Sequence, residues 1–227
     1  MSRLPAPIDP VPDPWPLHGL VLRTPRLELR PDDDPSIREL VVTVHAAGVH
    51  PADEMPFAMP WTDADPRYLG RGMAQYLWGR RAACSPEDWS IHFIVRVDGE
   101  VAGLQELAAT RFDVLREVRT GSYLGRRFQR RGYGTEMRAA VLAFAFDRLG
   151  ATTARSAYLE GNESSARVSR RLGYRPDGTA LTVARGPRVV EHRLLLTAGA
   201  FVRPGWELRV EGYTAELAGF LAADPPR

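Results

Sequence analysis

Residues 128–135 read FQRRGYGT, and the stretch that follows, EMRAAVLAFAFDRLG, has Met137, Val141, Phe144, Ala145 and Leu149 at helical spacing. Gly132 and Gly134 therefore stand in a basic turn at the start of a helix. The first turn of a helix leaves backbone N–H groups without partners, and the helix dipole makes that end positive. Glycine lets an anion reach this backbone with no Cβ in the way. A strand, EVRTGSYLG (117–125), precedes the turn. Strand, basic glycine turn and amphipathic helix together make a phosphate-binding arrangement. Arg126, Arg127, Arg130 and Arg131 add charge for more than one phosphate group. A plainer reading has the same spacing: a tight strand-to-helix turn beside a solvated arginine patch. Two other phosphate motifs fail. A P-loop needs a lysine after its second glycine, and this sequence contains none. The dinucleotide fingerprint needs a third glycine where Met137 stands.

Working outward, LVLRTPRLELR (20–30) alternates and reads as a strand interrupted near Pro25. DDDPSIRELVVTVHAAG predicts an acid-capped helix ended by Gly48. Residues 50–66 form a proline-broken loop holding Met55, Phe57, Met59 and Trp61. A second helix follows from 65, with Tyr68, Met73, Tyr76 and Leu77 on one face. Two apolar runs around Asp98-Gly99 predict a hairpin over 88–109. Beyond the quoted helix, TTARSAYLE (152–160) predicts a strand and NESSARVSRRLG a short helix. Strands near 179–185 and 188–196 complete the set. Strands interleaved with helices point to a layered α/β or α+β domain. The expected organisation is an extended proline-rich arm (1–18), a main domain (19–200) and a C-terminal extension (201–227).

The bulk properties set few other limits. The chain has 227 residues, 44% hydrophobic and 26% charged, with a formal net charge of +2. That profile is globular, and the charge is too small to argue for nucleic acid. All 30 basic residues are arginine. The single cysteine, Cys84, excludes an internal disulfide and a multi-cysteine metal site. With no apolar run of membrane length and a proline-rich, acidic start, a cytoplasmic location is expected, with no metal and no membrane partner.

Gln129, Gly132 and Gly134 match Q-x-x-G-x-G/A, the acyl-CoA pyrophosphate motif of the GNAT acyltransferases. Asn162, Ser165, Leu172, Gly173 and Tyr174 match that family's second block, Asn-x-x-Ser followed by Leu-Gly-Tyr. The chain thus resembles the GNAT superfamily from about residue 20 to 196. LRTPRLELR resembles the first strand of the branch that includes ribosomal-protein N-terminal acetyltransferases. HPADEMPF, LGRRFQRRGYGTEMRAAVL and WELRVEGY resemble an actinobacterial branch in which succinyl-CoA is a possible donor.

The resemblance implies a mixed, mostly antiparallel central sheet with splayed fourth and fifth strands and helices on both faces. It implies acyl transfer from acetyl-CoA or succinyl-CoA to a primary amine: a protein N-terminus, a lysine or a small amine. Carried over to this sequence, the pantetheine pairs with the backbone at Tyr123 and Leu124. The pyrophosphate sits on the turn formed by Arg130, Arg131, Gly132, Tyr133, Gly134 and Thr135, beside Gln129. Asn162 is a further cofactor contact. The tyrosine acid found in many members is replaced by Ser169, so Ser165 is the expected acid, with a helix-start role as the alternative. Glu117 and Glu106 are the candidate bases, with His50, Asp53 and Glu54 in the acceptor-side loop. The rival reading is a catalytically inactive CoA-binding regulatory module. A DNA-binding reading of the arginine cluster lacks a recognition helix. The apolar residues of the termini, Trp15, Leu17, Trp206, Leu208, Val210, Tyr213 and Phe220, predict packing of the tail, in a homo-oligomer or on its own domain.

Overall fold

A computed structural model describes residue 11 and residues 13–224. Most of the proline-rich arm, residues 1–10 and 12, lies outside the described residues. Its end is a 3-10 turn, Pro16–Gly19, and not an extended segment.

Nine strands form one sheet in the order β7-β8-β6-β5-β4-β3-β2-β1-β9. They are β1 (Val21–Arg23), β2 (Leu27–Pro31), β3 (Asp88–Val97), β4 (Glu100–Thr110), β5 (Glu117–Leu124), β6 (Thr153–Leu159), β7 (Arg175–Val183), β8 (Arg188–Thr197) and β9 (Arg209–Glu211). The helices are α1 (Asp34–Ala47), α2 (Pro66–Ala82), the single turn α3 (Phe112–Leu115), α4 (Tyr133–Phe144), α5 (Glu163–Arg171) and α6 (Ala215–Phe220). Among the described residues, β5 and β6 are the one pair that runs parallel.

Two apolar clusters mark the two faces of the sheet. On one, Ile37, Leu40 and Val44 of α1 and Leu69, Met73 and Leu77 of α2 pack on Ile94, Val101 and Leu104. On the other, α4 lies over the strand centres and is buried on every side from Glu136 to Ala145. β3 is buried at nearly every position because both of its faces are covered. Asp98 and Gly99 (φ 48° and 83°) make the tight turn from β3 to β4.

Two expectations change, and one pair of alternatives is decided. The segment 20–30 is not one strand: β1 and β2 pair antiparallel, Leu22 opposite Leu29, with the chain reversing at Thr24-Pro25-Arg26. On α2 the buried stripe is Leu69, Met73 and Leu77, while Tyr68 and Tyr76 are half exposed. Residues four apart share one side of a helix, and the two tyrosines lie just off that row. The tail packs on its own chain. β9 pairs with β1, and Trp206, Leu208, Val210, Tyr213 and Phe220 join the α4-side core. The observation that suggested a homo-oligomer is thereby accounted for within one chain.

Candidate active site

The parallel pairing of β5 and β6 covers only Glu117–Arg119 against Thr153–Arg155. Beyond it the strands diverge, and residues 120–124 of β5 keep β4 on one edge with no strand on the other. An open cavity of about 1430 Å³ lies at the wide end. Leu124, Gln129, Arg130, Gly132, Gly134, Thr135 and Asn162 line it, so two sequence motifs far apart in the chain meet there.

The turn leading into α4 is built as an anion nest. Arg130 (φ 61°) and Gly132 (φ 84°) are both left-handed. The backbone N–H of Gln129 donates to Arg126 O (3.2 Å), and that of Thr135 to Gly132 O (3.1 Å). Between them, the N–H groups of residues 130–134 have no acceptor among the described residues. The helix lacks a side-chain cap at this end. At Gly134 a Cβ would meet nothing closer than 3.8 Å, so the fold itself does not require glycine there. Five unpaired donors at a positive helix end suit a diphosphate.

Gln129 has a different task from the direct contact its motif suggests. Its amide Nε2 donates to Val49 O (2.7 Å) and Leu124 O (2.8 Å), tying the end of β5 to the loop after α1. Arg131 and Tyr133 also serve the scaffold. The Arg131 carbonyl accepts from Arg26 Nη1 (3.0 Å), and the Arg26 guanidinium lies 4.8 Å from the Tyr133 ring centre. Arg26 in turn pairs with Glu136 (2.5 Å), which also accepts from Thr24 Oγ1 (2.6 Å). This buried carboxylate in the first turn of α4 pins the nest to the β1–β2 turn. Sequence reading missed Arg26 and Glu136, which lie 110 residues apart. It also missed Arg167 and Arg171, which face the cavity four residues apart on α5 and add to Arg126, Arg127 and Arg130.

Asn162 caps α5: its Oδ1 accepts from the Ser165 N–H (3.1 Å). Ser165 is half-buried, and its hydroxyl has no hydrogen bond among the described residues; the neighbouring Ser164 is the serine in the cavity wall. Glu117 lies at the closed end of the β5–β6 pair, held by Arg155 (2.8 Å) and Thr153 Oγ1 (3.2 Å). Glu106 is in mid-strand opposite Gly121, on the α2 side of the sheet. A Cβ at Gly121 would come within 2.9 Å of Glu106 Oε2, so the glycine makes room for the carboxylate. Its side chain is 28% exposed, and desolvation raises its pKa above the ordinary carboxylate value. His92 Nε2 lies 3.7 Å from Glu106 Oε1, too far for a hydrogen bond. Burial lowers the His92 pKa to about 4, so the two are not an ion pair at neutral pH. Tyr76 packs edge-on against the imidazole, 5.6 Å between ring centres.

The 50–66 loop closes over this face. Phe57 and Trp61 pack on Tyr123, with ring centres 6.4 and 5.1 Å away, and Met55 lines the cavity while Met59 is exposed. Burial pushes the Tyr123 phenol up. His50 uses both ring nitrogens within the loop, on Pro51 O and Thr62 Oγ1 (2.7 Å each). Arg185, at the β7–β8 turn, grips the loop through Asp63 (2.6 and 2.7 Å), Ala52 O (2.9 Å) and Glu54 O (3.1 Å). Cys84 is partly buried, and burial raises its thiol pKa.

A sequence profile of the acetyltransferase (GNAT) domain matches residues 26–175. Among solved structures, the chain is similar to Mycobacterium smegmatis RimJ in complex with CoA-disulfide: 19% identity, TM-score 0.64, over 81% of this chain and 90% of that one. It is similar to RimL, a ribosomal L7/L12 alpha-N-protein acetyltransferase in complex with coenzyme A: 15% identity, TM-score 0.61, over 78% and 97%. A GCN5-related N-acetyltransferase from Brucella melitensis gives 20% identity and TM-score 0.61 over 79% of each chain. These likenesses are of fold; the profile match spans more than half of the sequence, and the chain belongs to the acetyltransferase (GNAT) family.

Proposed function

We propose that the protein moves an acyl group from acyl-CoA to a primary amine by direct attack, with acetyl-CoA as donor and a protein N-terminus as acceptor. The five unpaired N–H groups of residues 130–134 at the start of α4 carry this reading, because they form a ready site for the CoA diphosphate. Arg130 and the cavity arginines surround it, and the free edge of β5 at Tyr123 and Leu124 offers the backbone for an extended arm. The RimJ and RimL names support the choice of acceptor.

Glu106 is the base in this proposal. Its raised pKa makes it a stronger proton acceptor than an ordinary carboxylate, and Gly121 leaves it space on the acceptor side. Glu117 is less suited, because Arg155 and Thr153 hold it at the far end of the strand. As the amine nitrogen bonds to the carbonyl carbon, Glu106 takes its proton and the C–S bond breaks. Ser165, whose hydroxyl has no hydrogen bond among the described residues, is the acid in this reading: it gives its proton to sulfur and is reprotonated by the proton that Glu106 took.

Thiol release from acetyl-CoA and succinyl-CoA, screened against N-terminal peptides, lysine peptides and polyamines, tests the proposal. Release that depends on an N-terminal peptide and prefers acetyl-CoA is expected. Binding of CoA without release on any amine would favour a regulatory module instead.

A further inference from the structure

Arg138, in the second turn of α4, is 4% exposed. Its Nη1 donates to Ser169 Oγ (3.0 Å) and its Nη2 to Ser122 Oγ (3.1 Å). Its Nε has no partner, and no carboxylate pairs with it among the described residues. An ionised group away from water is costly unless a counter-charge meets it. Two hydroxyls do not supply one. The titratable side chain whose charge bears on it is Tyr174, and burial keeps that phenol protonated.

The surroundings repeat the pattern. Ser122 lies on the stretch of β5 whose β6-facing edge is free. Opposite it on β4, Gln105 is fully buried, and its Oε1 has no donor among the described residues. Thr120 and Ser156 add two more buried hydroxyls. Beneath the splay these side chains form a buried polar cluster with one cation and, among the described residues, no anion. It lies one helical turn beyond Gly134, so an arm anchored at the nest and running along β5 from Leu124 would direct its end toward it.

Ser169, which stands where many members carry a tyrosine acid, cannot replace that acid. Its hydroxyl proton is committed to Ser165 O (3.0 Å) while its oxygen accepts from Arg138.

We propose that Arg138 is the receptor for the leaving sulfur: its guanidinium meets the thiolate charge as the C–S bond breaks. The inference rests on the acyl-CoA reading above. The bonding pair goes to sulfur, the amine proton goes to Glu106, and Arg138 stays protonated throughout, because a guanidinium does not give up its proton in a protein. A fixed cation aimed at developing charge in a dry site needs no reorganisation during the reaction.

The test is the acidity of the CoA thiol when bound. Cys84 is the only cysteine, so a Cys84→Ala background leaves CoA as the sole thiol. Ultraviolet thiolate absorbance is titrated at saturating CoA, with desulfo-CoA as blank. The bound thiol is expected to be about tenfold or more acidic than free CoA, a shift of about one pKa unit or more. Arg138→Met should abolish the shift, and Arg138→Lys should keep part of it. A bound thiol in the Arg138-bearing protein that titrates like free CoA would overturn the proposal without any Arg138 variant. Failure of CoA to bind would sink the acyl-CoA reading and this inference with it. In turnover, Arg138→Met should lower kcat alike for acetyl-CoA and succinyl-CoA. A loss confined to succinyl-CoA would overturn the thiolate role and make the guanidinium a receptor for the donor carboxylate.

Discussion

Gly134 separates what the fold needs from what a ligand needs. Gly132 has a positive φ, so its replacement strains the backbone whatever binds there. Gly134 is helical, and a Cβ there would make only ordinary van der Waals contacts, with Val168 at 3.8 Å and Leu124 at 3.9 Å. Gly134→Val should therefore fold and yet weaken CoA binding by about tenfold or more, since its methyl groups would take space next to the N–H nest. Calorimetry showing unchanged affinity in the folded variant would remove the basis of the diphosphate site. Glu106→Gln should lower kcat/KM by roughly 10²- to 10⁴-fold. The acidic limb of the wild-type profile should lie above the ordinary carboxylate range, because desolvation raises Glu106. His92, pushed down to about 4, is neutral across that limb and cannot produce it. The stability sign is opposite to the activity sign. A carboxyl whose pKa is raised by folding binds more protons folded than unfolded, so its stabilising contribution is lost as pH rises through the folded pKa. The Gln variant should thus be at least as stable as wild type at pH 8, and a less stable variant would mark Glu106 as structural. The motif spacing in the sequence reached the glycines, Asn162 and the choice between two glutamates. It did not reach Arg138, because one arginine among 30 shows nothing of its burial, nor the scaffold bonds of Gln129, whose amide Nε2 is turned onto two carbonyls while the residue still lines the cavity.

Helices and hairpins were legible wherever a local signal marked their ends. Asp33 caps α1 and shares a capping box with Ser36, and Gly48 ends it with a positive φ. The β1–β2 reversal was less visible, since Pro25 inside an alternating run looks the same as an interruption of one strand. Contacts between distant elements leave no local trace. The grip of the β7–β8 turn on the 51–63 loop is the clearest case: Arg185 reaches residues more than 120 positions away. The pair is solvent-exposed, so it is worth about 0–1 kcal/mol of stability. Its effect should instead appear in acceptor binding, because it holds the loop that covers the Glu106 face. Arg185→Ala is expected to leave the melting temperature within a few degrees of wild type and to raise the acceptor KM several-fold at unchanged donor KM. Equal acceptor KM in the two proteins would show that the loop holds its place without the clamp.

At the scale of the whole molecule, the described residues near both ends of the chain are part of the core. Leu217 and Leu221 are fully buried against the α4-side cluster, and Trp89, itself fully buried, donates its indole N–H to Leu221 O (2.8 Å). Tyr213 packs on Phe144 of α4, with ring centres 5.5 Å apart. Trp15, just before the first strand, packs edge-on against Phe220 (5.4 Å), so residues from both end segments pack together on the α4-side core. This explains why α4 is buried on all sides although its sequence shows a single stripe. Sequence periodicity reports the face that meets the sheet, and the remaining cover comes from α5 and from the tail, whose Tyr213 meets Phe144 from about 70 positions downstream. A chain ending at residue 202 would lose β9 and α6 together. It would uncover Phe144 and Trp89, each a side chain whose burial contributes about 1.5–3 kcal/mol or more. Several such losses are comparable with the roughly 5–15 kcal/mol that hold an ordinary domain. The truncated chain should therefore be largely unfolded or aggregated. The milder Leu217→Ala is expected to cost about 2–5 kcal/mol, lowering the melting temperature by roughly 10 °C, and to remain soluble. If the tail instead served a subunit interface, light scattering would show full-length dimers falling to folded monomers on truncation. A well-folded, monomeric 1–202 chain with the wild-type melting temperature would show that the core ends before residue 203.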